Sequence, residues 1–223
     1  MKQTMALMRK AFCMIGLGAW VWGVFASPAA GSTVCFVSAL PRAEKTNLLY
    51  QGKKIRPFPF GEGDITACLN VPPGNLGFTV EDPVLGSKPL ALRIDPGQHK
   101  TAVIYEKTVV DPKTKKEEKG VALLEVPSVG VGTVGQTRFR IAYVGGKEEV
   151  TLTVNGARTT MAPNSFSDVQ EGGMSLQVQM PSSVERWSHS FEKARSFVLV
   201  VFPGHDGKLK ITLAYEAGTP KEG

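Results

Sequence analysis

Proline and glycine interrupt the chain about every ten residues from residue 32 onward, and short runs rich in Val, Ile, Thr, Phe and Tyr lie between them. This spacing is typical of an all-β sandwich, in which tight turns join short strands. No long segment has the apolar periodicity of a helix, although residues 188–195 fit a single helical turn. The candidate strands are residues 33–40, 46–51, 64–71, 76–81, 90–94, 101–110, 120–126, 137–144, 149–154, 174–180, 185–191, 197–202 and 209–215. The pattern therefore predicts an all-β fold.

The second half of the chain repeats the pattern of the first. The aligned pairs are Thr33 with Thr137, residues 48–52 with 152–156, and residues 65–72 with 174–181. In the third pair, inward and outward positions of the strands agree between the two copies. Both copies end in a hairpin, with predicted tips at residues 111–120 and 203–207.

This repeat predicts two tandem immunoglobulin-like antiparallel β-sandwich domains, at residues 31–126 and 137–216. Residues 127–136 between them are Gly-rich and uncharged, which predicts a linker. The Gly-x-Gly-x-x-Gly pattern at residues 130–135 resembles a dinucleotide motif, but a strand rather than a helix is expected to follow it. We therefore assign it to the linker. Residues 217–223 are polar and predict a disordered tail.

Residues 1–30 are typical of a secretory signal peptide. A basic start ends at Arg9-Lys10, an uncharged apolar stretch follows, and small residues complete the segment, with cleavage expected after Ala26 or Ala29. The apolar stretch of about 15 residues is shorter than the roughly 20 that a membrane-spanning helix needs. We therefore predict a periplasmic or secreted protein with no membrane span after cleavage.

Positive charge is modest once this segment is removed. The formal net charge is +6, and the first 26 residues carry Lys2, Arg9 and Lys10 without an acidic residue, so the remainder has +3. Nucleic-acid binding requires denser Lys and Arg clusters, so we predict no nucleic-acid partner. The charge run at residues 113–119 has mixed signs at a predicted hairpin tip, which favours a solvated loop over a grip on an anionic ligand.

Cys35 and Cys68 remain after Cys13 leaves with the signal peptide. An exported protein can carry a disulfide, which would contribute about 3 to 4 kcal/mol for a loop of this size. The alternation of residues 65–71 nevertheless places Ile65 and Ala67 inward and Cys68 outward, so a bridge would have to join the outer faces of two strands. The sequence therefore leaves open whether Cys35 and Cys68 form a disulfide or remain free thiols. Zinc ligands at suitable spacing are absent from the sequence, so we predict no metal site.

The sequence contains no catalytic signature. The three histidines, His99, His189 and His205, lie in or beside predicted turns, and no Gly-x-Ser-x-Gly motif or marked pair of carboxylates occurs. We therefore predict a protein that is not an enzyme and uses no cofactor; the alternative is a catalytic triad assembled across the fold.

Two aromatic segments are candidate contacts for a protein or glycan partner. Phe58 and Phe60 lie in a proline-stiffened connection, and Arg186, Trp187 and His189 surround the one tryptophan of the mature chain. The alternative is that these aromatics plug the ends of the sandwiches.

The strand at residues 196–202 is strongly apolar and is flanked by Lys193, Arg195 and Pro203. We interpret these flanks as guards against edge pairing.

The layout resembles the periplasmic accessory subunit of bacterial alginate O-acetylation, with its signal peptide, two β-sandwich repeats and no catalytic signature. The first copy also resembles widespread single-domain bacterial surface repeats. The motifs that carry this second resemblance are residues 37–41, 49–53, 71–74 and 95–97, the last of which precedes a Tyr-containing strand. The resemblance implies an exported noncatalytic adaptor or binding protein of the cell envelope that serves polysaccharide modification.

The expected partner is thus an envelope protein complex or a cell-surface polysaccharide. The first alternative is a periplasmic chaperone or pilus-type assembly factor, which would need an exposed edge strand beside a pair of basic residues. The second is a hydrolase on a sandwich scaffold.

Overall fold

The computed structural model describes residues 31–130, 136–172, 174–180, 183–189 and 195–216. In these residues every regular element is a β-strand, and none of the sheets closes on itself. The prediction of an all-β fold is confirmed. The described residues include no helix long and apolar enough to cross a membrane.

The strands fall into two sets along the chain. Those of the first half are β1 (Ser32–Ala39), β2 (Asn47–Tyr50), β3 (Lys53–Lys54), β4 (Leu69–Val71), β5 (Gly74–Asp82), β6 (Gly86–Ile94), β7 (His99–Val110) and β8 (Glu117–Pro127). Those of the second half are β9 (Arg138–Tyr143), β10 (Val150–Val154), β11 (Ala157–Met161), β12 (Ser165–Phe166), β13 (Gln170–Glu171), β14 (Met174–Met180), β15 (Ser183–His189), β16 (Ser196–Pro203) and β17 (Leu209–Tyr215). Ser188 and His189 are thus in a strand rather than a helical turn, and residues 190–194 lie outside the described chain.

Each half contributes two sheets, and the order of strands is the same in both halves. The first half forms the sheets β3-β2-β5-β6 and β4-β1-β7-β8, and the second half forms β11-β10-β14-β15 and β12-β9-β16-β17, with β13 also paired to β9. β1 pairs with β7 in parallel, as β9 does with β16. The prediction of purely antiparallel sheets is therefore wrong at these two pairs. A long connection through the other sheet separates their members, so hairpin geometry does not impose an antiparallel direction.

Three apolar layers separate the four sheets. The first layer lies between the two sheets of the first half and includes Phe36 and Phe78. The third layer lies between the two sheets of the second half and includes Phe139 and Leu152. The middle layer joins the β1 sheet to the β9 sheet, and its buried members are Val37, Ala39, Val103, Tyr105, Val126, Ala142, Val144, Val198, Val200, Phe202 and Ala214. The two halves therefore stack face to face through a shared core.

The middle layer explains why β1 and β16 are apolar at successive positions. Every residue of β1 is buried. In β16, Phe197 belongs to the third layer and Val198 to the middle layer, so the strand is covered on both faces. β16 is also central in its sheet, between β9 and β17. The interpretation of Arg195 and Pro203 as guards of an exposed edge is therefore wrong.

One block of the sequence repeat has the same backbone geometry in both halves. The hairpin turns Gln51-Gly52 and Asn155-Gly156 have positive φ at all four residues. This is the geometry of a type I′ turn, whose twist matches the strands that it joins. The alignment of residues 48–52 with 152–156 is consistent with this equivalence.

The other aligned blocks are shifted. β14 pairs with β10 in the way that β5 pairs with β2, so β14 is equivalent to β5 and not to residues 65–72. Thr33 donates its N–H to Gln98, and Arg138 donates its N–H to Arg195, which makes Thr33 equivalent to Arg138. The expected pairing of Thr33 with Thr137 is wrong by one residue, because it would exchange the two faces of the strand.

Residues 64–68 form no regular strand. Ile65 makes a single bridge to Val37, Thr66 is buried and Ala67 is exposed. The predicted alternation is therefore wrong here, since it requires a continuous pleated strand. Cys35, on β1, and Cys68 are joined by a disulfide.

The hairpin of β7 and β8 is longer than its counterpart. Glu106 pairs with Val121 as Pro203 pairs with Leu209 in β16–β17. Beyond Glu106 the first hairpin continues as a paired ribbon to Val110, so the turn occupies residues 111–116 and the predicted tip at 111–120 is too long. The ribbon is exposed.

Hydrogen bonds hold the halves together at both ends of the β16–β17 hairpin. After β17, Glu216 accepts from the Ser128 hydroxyl at 2.6 Å and from the Val129 N–H at 2.8 Å. At the turn of the hairpin, Glu62 accepts from the His205 N–H at 2.6 Å, and its other oxygen lies 2.9 Å from His205 Nδ1. The beginning of the predicted linker is therefore packed against the second half.

A cluster of ion pairs, in which Arg42 and Asp82 are buried, lies at the base of the ribbon. Arg42 forms ion pairs with Asp82 and Glu106, and Lys119 Nζ lies 2.9 Å from Glu106. Burial acts to raise the pKa of Glu106, but the hydrogen bonds and charges of Lys119 and Arg42 outweigh it. The pKa of Glu106 is consequently lower than its ordinary value of 4.5.

Glu106→Gln is expected to remove part of the acid sensitivity of the fold. Because the folded-state pKa of Glu106 is the lower one, its carboxylate stabilises the fold above pH 4.5. That stabilisation is lost as the pH falls through the folded-state pKa. In urea unfolding over an acidic pH series, the variant should be less stable at neutral pH and should lose less stability on acidification. Glu118→Gln, at an exposed carboxylate of β8, is the control and should follow the wild type. Coincident curves for Glu106→Gln and the wild type would contradict the assignment.

Candidate binding cleft

A cleft of about 470 Å³ opens at one edge of the second half. It lies where β11, at the edge of one sheet, faces β12 and β13 at the edge of the other. The lining residues are Ile141, Val154, Ala157, Thr159, Thr160, Met161, Ala162, Ser165, Phe166, Ser167, Asp168 and Gln170. Ile141, Val154 and Met161 are buried members of the third layer, so the floor of the cleft is the apolar core itself.

The β10–β11 hairpin forms one wall. The positive φ values of Asn155 and Gly156 turn the chain back within two residues, so every residue of β11 pairs with β10. Met161, the last residue of β11, is buried, while the four residues before it are exposed. The local sequence thus produces a solvent-exposed edge strand whose last side chain, that of Met161, is buried in the third layer.

Residues 165–170 form the opposite wall. Ser167 bonds twice to β9: its N–H donates to the Ile141 carbonyl at 2.8 Å, and its hydroxyl accepts from the Ile141 N–H at 3.0 Å. The Arg140 Nη1 donates to the Ser167 carbonyl at 2.9 Å, and the guanidinium carbon lies 5.6 Å from the centre of the Phe166 ring. These bonds fix the wall to the sheet behind it.

The first half has the same pair of hydrogen bonds at the equivalent position. The Thr66 N–H donates to the Phe36 carbonyl at 2.9 Å, and the Thr66 hydroxyl accepts from the Phe36 N–H at 2.8 Å. Thr66 thus corresponds to Ser167, and the two halves can be compared residue by residue around the cleft.

This comparison shows that the core is filled differently at the edge of each half. Phe60 pairs with Thr46 as Met161 pairs with Val150, so Phe60 and Met161 occupy equivalent positions. Phe60 is 3% exposed and belongs to the first layer. A phenylalanine thus occupies this position in the first half, and a methionine, which lines the cleft, occupies it in the second.

Asp168 is the one ionisable residue among the described residues that line the cleft. It is exposed, and no ion pair joins it to another described residue. The cleft therefore combines an apolar floor with hydroxyl groups on its walls and one exposed carboxylate, a composition typical of ligand-binding sites.

The histidines do not line this cleft. His99 Nδ1 contacts the hydroxyl of Thr33, His205 pairs with Glu62, and His189 ends β15. Within the described part of the chain, no group of three or more His, Cys, Asp or Glu residues could hold a metal ion.

The predicted contact residues of the first half have different surroundings. Phe58 is 70% exposed and available to a partner. Phe60 is excluded from the contact candidates, because it is buried in the first layer beneath the Arg56 guanidinium, 4.7 Å from the ring centre. The alternative interpretation, that this aromatic plugs a sandwich end, describes Phe60.

The predicted contact residues of the second half lie on β15. Arg186 pairs with Gln177, Trp187 with Leu176 and His189 with Met174. Because β15 is at the opposite edge of the sheet from β11, the structure does not bring these residues to the cleft. Their role as contacts stays a prediction.

The cleft and the edge strand β11 were missed by the sequence interpretation. A signal was present, since Asn-Gly is the strongest short hairpin signal and predicts a return strand directly after residue 156. The cleft itself has no such signal, because it depends on what the opposite wall leaves unfilled.

No protein-family model matches the chain, and no curated protein matches it either.

Proposed function

We propose that this chain is an exported, noncatalytic adaptor or binding protein of the bacterial cell envelope that holds its partner at the cleft of the second half. The observation that carries the proposal is the cleft of about 470 Å³ with its apolar floor beside an open sheet edge. Its volume is within the range of roughly 300 to 1,000 Å³ typical of binding sites.

Two features support export to the periplasm or the medium. Residues 1–30 have the three-part pattern of a cleavable signal peptide. The Cys35–Cys68 disulfide is a type of bond that persists in oxidising compartments outside the cytoplasm.

The proposal includes that the two halves are tandem immunoglobulin-like sandwiches related by duplication. Their identical strand order supports this, as do the equivalent bonds of Thr66 and Ser167. On this proposal the middle layer holds the two halves in a fixed arrangement. It thereby sets the position of the cleft, on the second half, relative to the exposed β7–β8 ribbon, on the first.

The resemblance to the accessory subunit of alginate O-acetylation suggests a narrower role in polysaccharide modification. On this proposal the partner is an envelope protein complex or a cell-surface polysaccharide. A stacking role for Trp187 towards a sugar belongs to the same proposal.

A periplasmic chaperone or pilus-type assembly factor is the second candidate. The exposed edge strand β11 favours it, because such factors act by presenting an edge to an incomplete partner. The two candidates share the cleft but differ in what occupies it.

A photo-crosslinking experiment tests the proposal. The full chain is expressed with a photoreactive phenylalanine at Thr159, which lines the cleft, or at Lys45, which is exposed in the first half. We expect a processed, envelope-located chain that gives a specific adduct from position 159 alone. Adducts with acetylation machinery support the first candidate, and adducts with fibre subunits support the second. An unprocessed cytoplasmic chain, or identical adducts from both positions, would contradict the proposal.

A further inference from the structure

We propose that the ligand of the cleft is an extended polypeptide segment of a partner protein. The segment adds a strand to β11, inserts one large apolar side chain over Met161 and places a Lys or Arg beside Asp168. This inference rests on the proposed binding function and names its ligand class.

The backbone of β11 is ready to pair with a further strand. The two-residue turn makes Val154 and Ala157 a hydrogen-bonded pair, and such pairs alternate along an antiparallel ladder. The N–H and C=O groups of Arg158 and Thr160 therefore point away from β10. Within the described part of the chain, β11 has β10 as its one strand partner.

The first half protects the equivalent edge. There, β3 covers two residues, and the segment that follows carries Pro57 and Pro59 before Phe60 returns to pair with Thr46. Prolines cannot donate to a ladder, so this edge is blocked to an incoming strand. β11 contains no proline and runs unbroken for five residues.

The cleft provides the place for an apolar anchor. In the first half the chain itself supplies an anchor, because Phe60 fills the position that corresponds to Met161 and joins the first layer. In the second half the equivalent Met161 is 5% exposed and lines the cleft, together with Ala157 and Phe166. An incoming segment whose side chains alternate can direct one large apolar residue into this space while its neighbours stay at the surface.

The charge of the cleft lining indicates which type of residue flanks the inserted apolar side chain of the partner segment. Asp168 is the single ionisable residue of the lining, so a cationic side chain is the complementary neighbour for the incoming segment.

The aromatic residue at the rim favours a peptide over a sugar. Phe166 is partly exposed, but the Arg140 guanidinium already lies over its ring, at 5.6 Å from the centre. One stacking face of the ring is therefore occupied. Among the described strands, by contrast, none pairs with the outward N–H and C=O groups of Arg158 and Thr160, which can therefore bond to a polypeptide backbone.

Selection from a phage-displayed library of random heptapeptides tests the inference. The mature chain is the target, and Met161→Phe, which imitates Phe60 and fills the cleft, is the counter-target. Enriched peptides are synthesised and their affinities measured by fluorescence anisotropy. We expect enrichment of extended sequences with one large apolar residue and a Lys or Arg two positions away.

Three variants separate the contributions. Arg158→Pro removes an outward N–H without removing a bond to β10, and should weaken binding about tenfold. Arg158→Ala is its matched control and should retain binding, since the backbone donor is kept. Asp168→Asn should weaken binding and reduce its dependence on salt. The unfolding midpoint of each variant is compared with that of the wild type, and binding is interpreted for variants whose midpoint is unchanged. If Arg158→Pro does not fold, Thr160→Pro takes its place.

The inference is overturned if no peptide is enriched over the Met161→Phe counter-target, or if both proline and alanine variants bind equally well. Binding of an oligosaccharide panel that Met161→Phe abolishes would also overturn it in favour of a glycan ligand. In these cases a specific adduct from position 159 would still support the binding function, whereas loss of both the adduct and peptide binding would overturn the proposed function as well.

Discussion

Phe202→Ala is expected to lower the free energy of unfolding by about 3 to 5 kcal/mol. Phe202 is fully buried in the middle layer, between the β1 sheet and the β9 sheet. Truncation removes most of a phenyl ring from a space that two packed sheets prevent from collapsing, so a cavity adds to the lost apolar burial. Urea unfolding followed by tryptophan fluorescence and circular dichroism measures the change.

The same experiment tests whether the two halves form one core. If they do, the wild type should unfold in a single transition, and Phe202→Ala should shift that transition as a whole. Phe58→Ala, at a ring that is 70% exposed, is the control and should change stability by less than about 0.5 kcal/mol. Two separate transitions in the wild type, or a loss under about 1 kcal/mol for Phe202→Ala, would contradict the shared middle layer.

Removing the disulfide with Cys35→Ala and Cys68→Ala together is expected to cost about 3 to 4 kcal/mol. The bond closes a loop with a sequence separation of 33 residues. Most of its effect comes from restricting the unfolded chain, because the reduced chain gains conformational freedom on unfolding. The bond also ties the irregular segment around Cys68 to β1, which has no other covalent restraint there.

Unfolding with and without dithiothreitol measures this contribution. The wild type should lose stability in reductant, and the double variant should be insensitive to it. A matching loss in the reduced wild type would show that the alanines act through the bond. A double variant as stable as the oxidised wild type would contradict a stabilising bridge.

The site illustrates which features local sequence can reveal. The Asn155-Gly156 pair carries the hairpin signal, because two successive residues with positive φ form a tight turn. The difference between an open and a closed edge carries no local signal. It depends on whether Phe60 or Met161 stands at equivalent positions, and their equivalence emerges only from strand pairing.

The strand register of the repeat shows the same limit. Residues 65–72 and 174–181 share an alternating pattern, yet β14 corresponds to β5. Several strands of a sandwich have similar alternation, so pattern similarity does not specify which strand pairs with which.

The all-β class follows from the sequence alone, since Pro and Gly punctuation and β-branched runs act through local backbone preferences. The stacking of four sheets was decided by the tertiary structure. In β1 and β16, successive apolar residues mean burial on both faces, but the second covering surface belongs to the other half of the chain. Burial by a distant segment has no local signature in the sequence. For this reason the sequence interpretation placed β16 at a sheet edge, whereas the structure places it between β9 and β17.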